Sequence, residues 1–346
     1  MTISDQLIRP GNIENDLGDM IAAIDRSHFE RHFSVSFQSG HQYFQVLSSD
    51  KSYVDAVELA HTPSSEHTPP HAKISVRLKQ DLRIWPRWSS RFFRERDVEA
   101  EIRNSRYRLH YFDECDFWQI YDRETSRGYQ LMPHSLGFPK WDPGSPLRNF
   151  VHWRLLEDKS SLIHSGTLGI GGRGIILAGA GGSGKSATVL SGILRGLDSV
   201  GDDYVALRQG DHVTASKAFE IVKLNPTRLA TLGVKAPDEQ DLNWQGKFLL
   251  TLEKLAERAM PEMMHINAIC LPFVSGQAHT RITDATPRDA FLALAPSGVS
   301  QIPSARAEMF TFAASLSRKL PAFHVGLGTD PDELVGILRT FIEGLS

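Results

Sequence analysis

Residues 174–190 read GIILAGAGGSGKSATVL, and their glycine-rich part, Gly179-Ala180-Gly181-Gly182-Ser183-Gly184-Lys185-Ser186, fits G-x-x-x-x-G-K-[ST] without departure. An apolar, β-type run at 174–177 precedes it, and the helix-forming KSATVLSGILRG follows. That strand, loop, helix order is the context the motif requires. In such a loop the glycines let backbone N–H groups turn inward on a polyphosphate, and the helix N-terminus adds positive potential. Lys185 is then placed for the β- and γ-phosphates and Ser186 for a Mg²⁺ ion, so ATP and Mg²⁺ are the expected cofactors.

Working upstream, SLIHSGTLGI at 161–170 is a second strand-like segment, joined to the first by only Gly171-Gly172-Arg173. So short a connection demands an antiparallel hairpin, since a parallel crossover does not fit. With the hairpin centred near Gly172, mirror pairing sets His164 opposite about Ala180, beside the loop. Working downstream, LDSV at 197–200 is expected as a short strand parallel to, and beside, the 174–177 strand. Asp202 and Asp203 would then end at the same sheet edge as the phosphates. Phosphoryl transfer asks protein groups for two things, a hold on the metal and a proton acceptor for the attacking hydroxyl. The two carboxylates suit these tasks, and which takes which stays open in the sequence.

The rest of the chain sets limits. Its 346 residues suit two domains, and 41% hydrophobic with 23% charged residues is ordinary globular composition. A net charge of −3 provides no global basic field, which argues against nucleic-acid and membrane partners. Cys115 and Cys270 are too few and too far apart for a disulfide framework, and the first 20 residues lack the apolar core of a signal peptide, so a cytoplasmic protein is expected. Residues 1–20 read as a flexible arm and 21–148 as a mostly β (α+β) domain, closed by the Pro-rich FPKWDPGSPLR at 138–148. Residues 149–346 read as the ATP-binding domain, beginning with a helix in LRNFVHWRLLE. Residues 77–108 hold ten Arg or Lys against five Asp or Glu among several aromatics, a segment that could dock a substrate or be plainly solvated. His61, His67 and His71 fit no common zinc spacing.

The order His164, hairpin, glycine loop, helix, GDDYVAL resembles the core of the HPr kinase/phosphorylase family, serine kinases with a phosphoenolpyruvate-carboxykinase-like P-loop domain. The likeness spans about 147–210 and is nearest to HPr-kinase-related proteins, some of which phosphorylate a serine in a ribosomally made precursor such as that of a lasso peptide. The resemblance implies an α/β domain with a mixed sheet, a kinase acting on a protein or peptide serine, and room for a homo-oligomer. It implies that Gly179, Gly181, Gly182, Ser183, Gly184, Lys185, Ser186 and Ala187 hold the nucleotide; farther along, LNPTRLATLG and NWQGKFLLTL offer Arg228 and Lys247 as further cations, or as solvated ones. By the same resemblance Asp202 is the base, Asp203 joins Ser186 near the metal, and His164 assists. Ala187 departs from the acidic residue that HPr kinase carries after GKS, and the family's phosphorylase signature is missing. A small-molecule kinase and a nucleotide-gated binding or chaperone module are the competing readings.

Overall fold

In a computed structural model the described residues are 3–27, 32–64, 68–89, 95–231, 234, 243, 245–301 and 303–345; of residues 95–97, 99, 228, 231 and 296–301 only the backbone is described. Two compact units emerge: residues 1–38, 42–157 and 302–304 in one, and 39–41, 158–301 and 305–346 in the other. His67 lies outside the described residues. Among the described residues no helix is long and apolar enough to cross a membrane.

The first unit runs β1 (Ser4–Ile8), α1 (Ile13–Asp25), β2 (Phe33–Ser39), β3 (Gln42–Ser48), α2 (Lys51–Ala60), β4 (Thr62–Pro63) and β5 (Ala72–Leu78). It continues with β6 (Ile84–Trp88), α3 (Glu95–Ile102), β7 (Tyr107–Phe112), β8 (Phe117–Asp122), β9 (Arg127–Met132) and α4 (Arg148–Glu157). Seven strands form a mixed sheet in the order β4-β2-β3-β5-β9-β8-β7, while β1 pairs β6 separately and in parallel. Two expectations are corrected here. The segment read as a flexible arm is folded: Pro10 and Gly11 turn the chain between β1 and α1, and Ile8, Ile13, Leu17, Met20 and Ile24 are buried on the face they share. The helix at 148–157 belongs to the first unit, because Phe150 and Trp153 are fully buried, Trp153 lies against Tyr121, and Asn149 donates to Gln119 at 2.6 Å.

Part of the basic segment is committed internally. Arg77 and Arg108 are buried, Arg77 donating to the carbonyls of Ile24 and Ser27 and Arg108 to that of Ser304. Arg106 pairs with Asp122 at 2.7 Å, and the Trp85 indole donates to Asp116. These side chains are not available to dock a partner. Residues 90–94 lie outside the described ones.

The second unit runs β10 (Ser160–Ile163), β11 (Gly166–Ile170), β12 (Arg173–Leu177), α5 (Lys185–Leu194), β13 (Val205–Gln209), β14 (Val213–Lys217), β15 (Ile221–Leu224) and α6 (Pro226–Thr231). Then come β16 (Phe248–Thr251), α7 (Leu252–Ala256), β17 (Met263–Val274), β18 (Arg281–Ala285), α8 (Pro287–Gln301), α9 (Arg306–Lys319), β19 (Ala322–Leu327) and α10 (Pro331–Gly344). Six strands follow the path β10-β13-β14-β17-β12-β11, and β19 adds to β17, with β18 beyond it. The 12 residues of β17 make this possible: β14 pairs its first part, β19 its last, and β12 runs parallel along the opposite edge. One face carries α5 and α10 over Leu177, Cys270 and Val325; the other carries α8 and α9 over Ile176, Ile269 and Leu271. Asp330 caps α10 by accepting from the Asp332 N–H, Pro331 starts it, and Leu334, Val335, Leu338 and Ile342 form its buried stripe.

In the first unit Asp142 is fully buried, accepts from the Tyr53 hydroxyl at 2.9 Å through Oδ2, and has no partner on Oδ1. Burial pushes its pKa from 3.8 up to about 7 against the pull of Tyr53 and the Arg148 charge. Between those values the folded chain holds a proton that the unfolded chain has released, so stability falls as pH rises from about 4 to about 7. Asp142→Asn should flatten that dependence and raise stability above pH 7 by about 1–3 kcal/mol. Urea denaturation from pH 4 to 8 checks this; an unchanged slope in the variant would show that Asp142 is not the group titrating.

Candidate functional site

The hairpin expected between 161–170 and 174–177 forms only from Gly166 on; residues 160–163 pair with β13 instead. β11 and β12 pair antiparallel with Gly166 opposite Leu177, and Gly171 and Gly172, both at positive φ, make the two-residue turn. This register is one residue off the expected one, and the chain leaves β11 before His164. His164 instead follows β10, whose Ile163 pairs Val205 of β13. Its ring therefore lies by Tyr204, at 5.4 Å between centroids, and its Nε2 is 3.0 Å from Asp203 Oδ1.

The strand expected at 197–200 is replaced by an irregular segment on the far edge of β11. Gly169 and Asp198 exchange N–H···O bonds at 2.8 Å each, and the Thr167 N–H donates to the Gly201 carbonyl at 2.9 Å. The segment lies antiparallel to β11, as β12 does, so it runs in the direction of β12 with β11 between them. Direction, not adjacency, brings Asp202 and Asp203 to the end of the sheet where the glycine loop stands.

Gly179 to Gly184, with Gly181, Gly182 and Ser183 between, span the loop from β12 to α5, and Lys185, Ser186 and Ala187 form the first turn of that helix. Gly184 caps it at φ 102°, where a Cβ would also stand 2.3 Å from Leu327 Cδ1. Conformation and space both require glycine there. Lys185 is buried, and its ammonium donates to the carbonyls of Gly179 at 2.6 Å and Ala180 at 3.1 Å. Burial lowers its pKa while the charges of Asp202 and Asp203 oppose the shift.

The two aspartates have opposite surroundings. Asp202 is buried, with no partner on Oδ1; burial and then the Asp203 charge push its pKa up to about 7, against a hydrogen bond with Ser186 and the Lys185 charge. Asp203 binds His164 through Oδ1 and the Lys223 ammonium through Oδ2 at 2.7 Å. Burial would raise its pKa as well, but Lys223 and His164 outweigh that and hold it far below the usual carboxylate range.

Lys223 is the site residue that sequence reasoning missed. It lies in β15 between Val222 and Leu224, and a lone lysine inside the apolar run IVKL was the available signal. Lys247 directly precedes β16, its N–H bonded to Asn243 Oδ1 at 3.0 Å; continuing the β15–β16 register by one pair sets it diagonally across from Lys223 on the same face. Arg228 stands in α6, with its side chain outside the described residues. Among the described residues no cluster of three or more His, Cys, Asp or Glu could hold a metal by itself.

No known family profile matches the chain, and no curated protein matches it. Among solved structures, the Hpr(Ser) kinase/phosphatase from Coxiella burnetii aligns over 53% of this chain and 99% of its own, at 16% identity and a TM-score of 0.29.

Lys223→Met should destabilise the second unit by about 1–3 kcal/mol, since Asp203 would lose one of the two groups that hold its charge. Adding Asp203→Asn should recover part of that cost. A urea double-mutant cycle measures the coupling, and strictly additive costs would show that the pair contributes nothing.

Proposed function

We propose that the chain is an ATP-dependent phosphotransferase that moves the γ-phosphate to a hydroxyl, with a serine of a protein or peptide as acceptor. The observation that carries the reading is the buried, uncommitted Oδ1 of Asp202, set beside Ser186 and Lys185 at the head of α5, next to a second carboxylate with both oxygens engaged. The N–H groups of the glycine loop and the start of α5 receive the phosphates, and Lys185 turns from the Gly179 and Ala180 carbonyls toward them.

Asp202 is the proton acceptor because it has a free oxygen, whereas Asp203 has none. The acceptor oxygen bonds to the γ-phosphorus as its proton passes to Asp202, the bond to the β,γ-bridging oxygen breaks, and ADP leaves. Asp203, fixed by His164 and Lys223, stays ionised and keeps negative charge next to Asp202, whose side chain bonds to Ser186. Ser186, exposed at the head of α5, would hold Mg²⁺, which takes few protein ligands and completes its shell with phosphates and water. Bound there, Mg²⁺ would supply charge neutralisation on the β- and γ-phosphates. Serine as the acceptor is supported by the motif order, His164 to GDD, that HPr-kinase-like serine kinases share.

Labelled ATP offered to proteins, peptides and a metabolite extract tests the activity and separates peptide from small-molecule acceptors. Asp202→Asn should bind ATP within about twofold of the unaltered chain and lose at least about 100-fold in transfer. Lys185→Ala should weaken ATP binding itself. Transfer by Asp202→Asn at the original rate would refute the assignment, and ATP binding with no transfer to any acceptor would leave a nucleotide-gated binding module.

A further inference from the structure

The glycine loop has a polar side and an apolar side. Toward β11 lie Asp202, Asp203 and His164; toward β17 and β19, the other neighbours in the sheet, lies the cross-strand pair Val274 and Leu327. Val274 is 71% exposed at the end of β17. Strand alternation places both side chains on the face of α5, since Cys270 and Val325 belong to the core beneath that helix and Val274 and Leu327 follow them by even steps. Leu327 also meets the loop, its Cδ1 standing where a side chain on Gly184 would begin. Single exposed apolar residues are common and mean little. Through Leu327 the pair meets the loop at the carboxyl ends of three parallel strands, where ligands of open α/β sheets bind.

Displacement at phosphorus sets the acceptor and the leaving diphosphate roughly in line on opposite sides of the transferred group. With the proton acceptor on the β11 side, the in-line axis directs the leaving diphosphate, and the nucleoside behind it, toward β17 and β19. We infer that the Val274–Leu327 pair is the seat of the nucleotide's purine base, an apolar floor for the ring's flat face. The inference rests on the triphosphate reading of the glycine loop.

Calorimetric titration with Mg²⁺-ATP and with Mg²⁺-tripolyphosphate, which has the phosphates and no base, tests it. Val274→Ser should weaken ATP about five- to tenfold by removing apolar contact with the ring and leave tripolyphosphate unchanged. Phe273→Ala is the control: Phe273 is exposed at the same edge but alternates to the opposite face, and neither ligand should notice its loss. Unchanged ATP affinity in Val274→Ser would overturn the base site and leave the loop reading intact. Equal weakening of both ligands would overturn it too, because the effect would then act through the loop. If the unaltered chain binds neither ligand, the loop reading itself fails.

Discussion

Only two residues, His164 and Ser165, separate the strand at one end of the six-strand path from the strand at the other. At about 3.3–3.6 Å per residue the chain from Ile163 to Gly166 spans no more than about 11 Å. The second unit's sheet must therefore curl until its ends approach. The chain makes the same crossing a second time, passing from the segment bonded to β11 at Gly201 to the β10 partner Val205. His164 lies on the first crossing, and Asp202 and Asp203 lie on the second. Their proximity follows from closing the sheet, before any side chain attracts another.

Packing makes the second crossing narrow. A Cβ on Gly166 would stand 2.5 Å from Val189 Cγ2 and 3.4 Å from the Asp202 carbonyl, so α5, β11 and the acidic pair meet where there is no room for a side chain. Thr167 then fixes the segment: its Oγ1 shares a hydrogen bond with Ser199 and accepts from the Val200 N–H at 2.9 Å. The two adjacent carboxylates come out electrically unlike because the chain bends at both and sends their side chains to different neighbours. Asp202 turns inward toward the loop and the head of α5; Asp203 turns to His164 and to Lys223 of β15.

Much of this was legible in the sequence because it is local. The strand, loop, helix order around Lys185 and the hairpin at Gly171-Gly172 follow from residue spacing and turn chemistry. What was not legible depends on pairing between distant segments. Nothing in LDSV tells whether its backbone bonds to β11 or β12, and the wrong choice still leaves Asp202 at the correct end, since β11 reverses direction between them. The β10–β13 pairing that aims His164 at Asp203, and the β15 ladder that brings Lys223 there, join positions tens of residues apart with no spacing rule to reveal them. At the N-terminus Pro10-Gly11 was read as disorder, although the same pair serves as the tight turn between a strand and a helix.

Charge balance links the site to its proposed ligand. Lys185 and Lys223 offset Asp202 and Asp203, so with both carboxylates ionised these four groups sum to zero. A triphosphate brings several negative charges into that balance, more than the loop's N–H dipoles and one freed lysine can neutralise. The shortfall calls for a compact cation near the exposed Ser186, a hard oxygen-seeking ion of the kind that arrives bound to phosphates. Continuing the β15–β16 register by one pair puts Lys247, a further cation, on the face of Lys223. Under the proposed function, a site that is neutral alone and strongly anionic with a triphosphate would favour entry of the nucleotide and its metal as one complex.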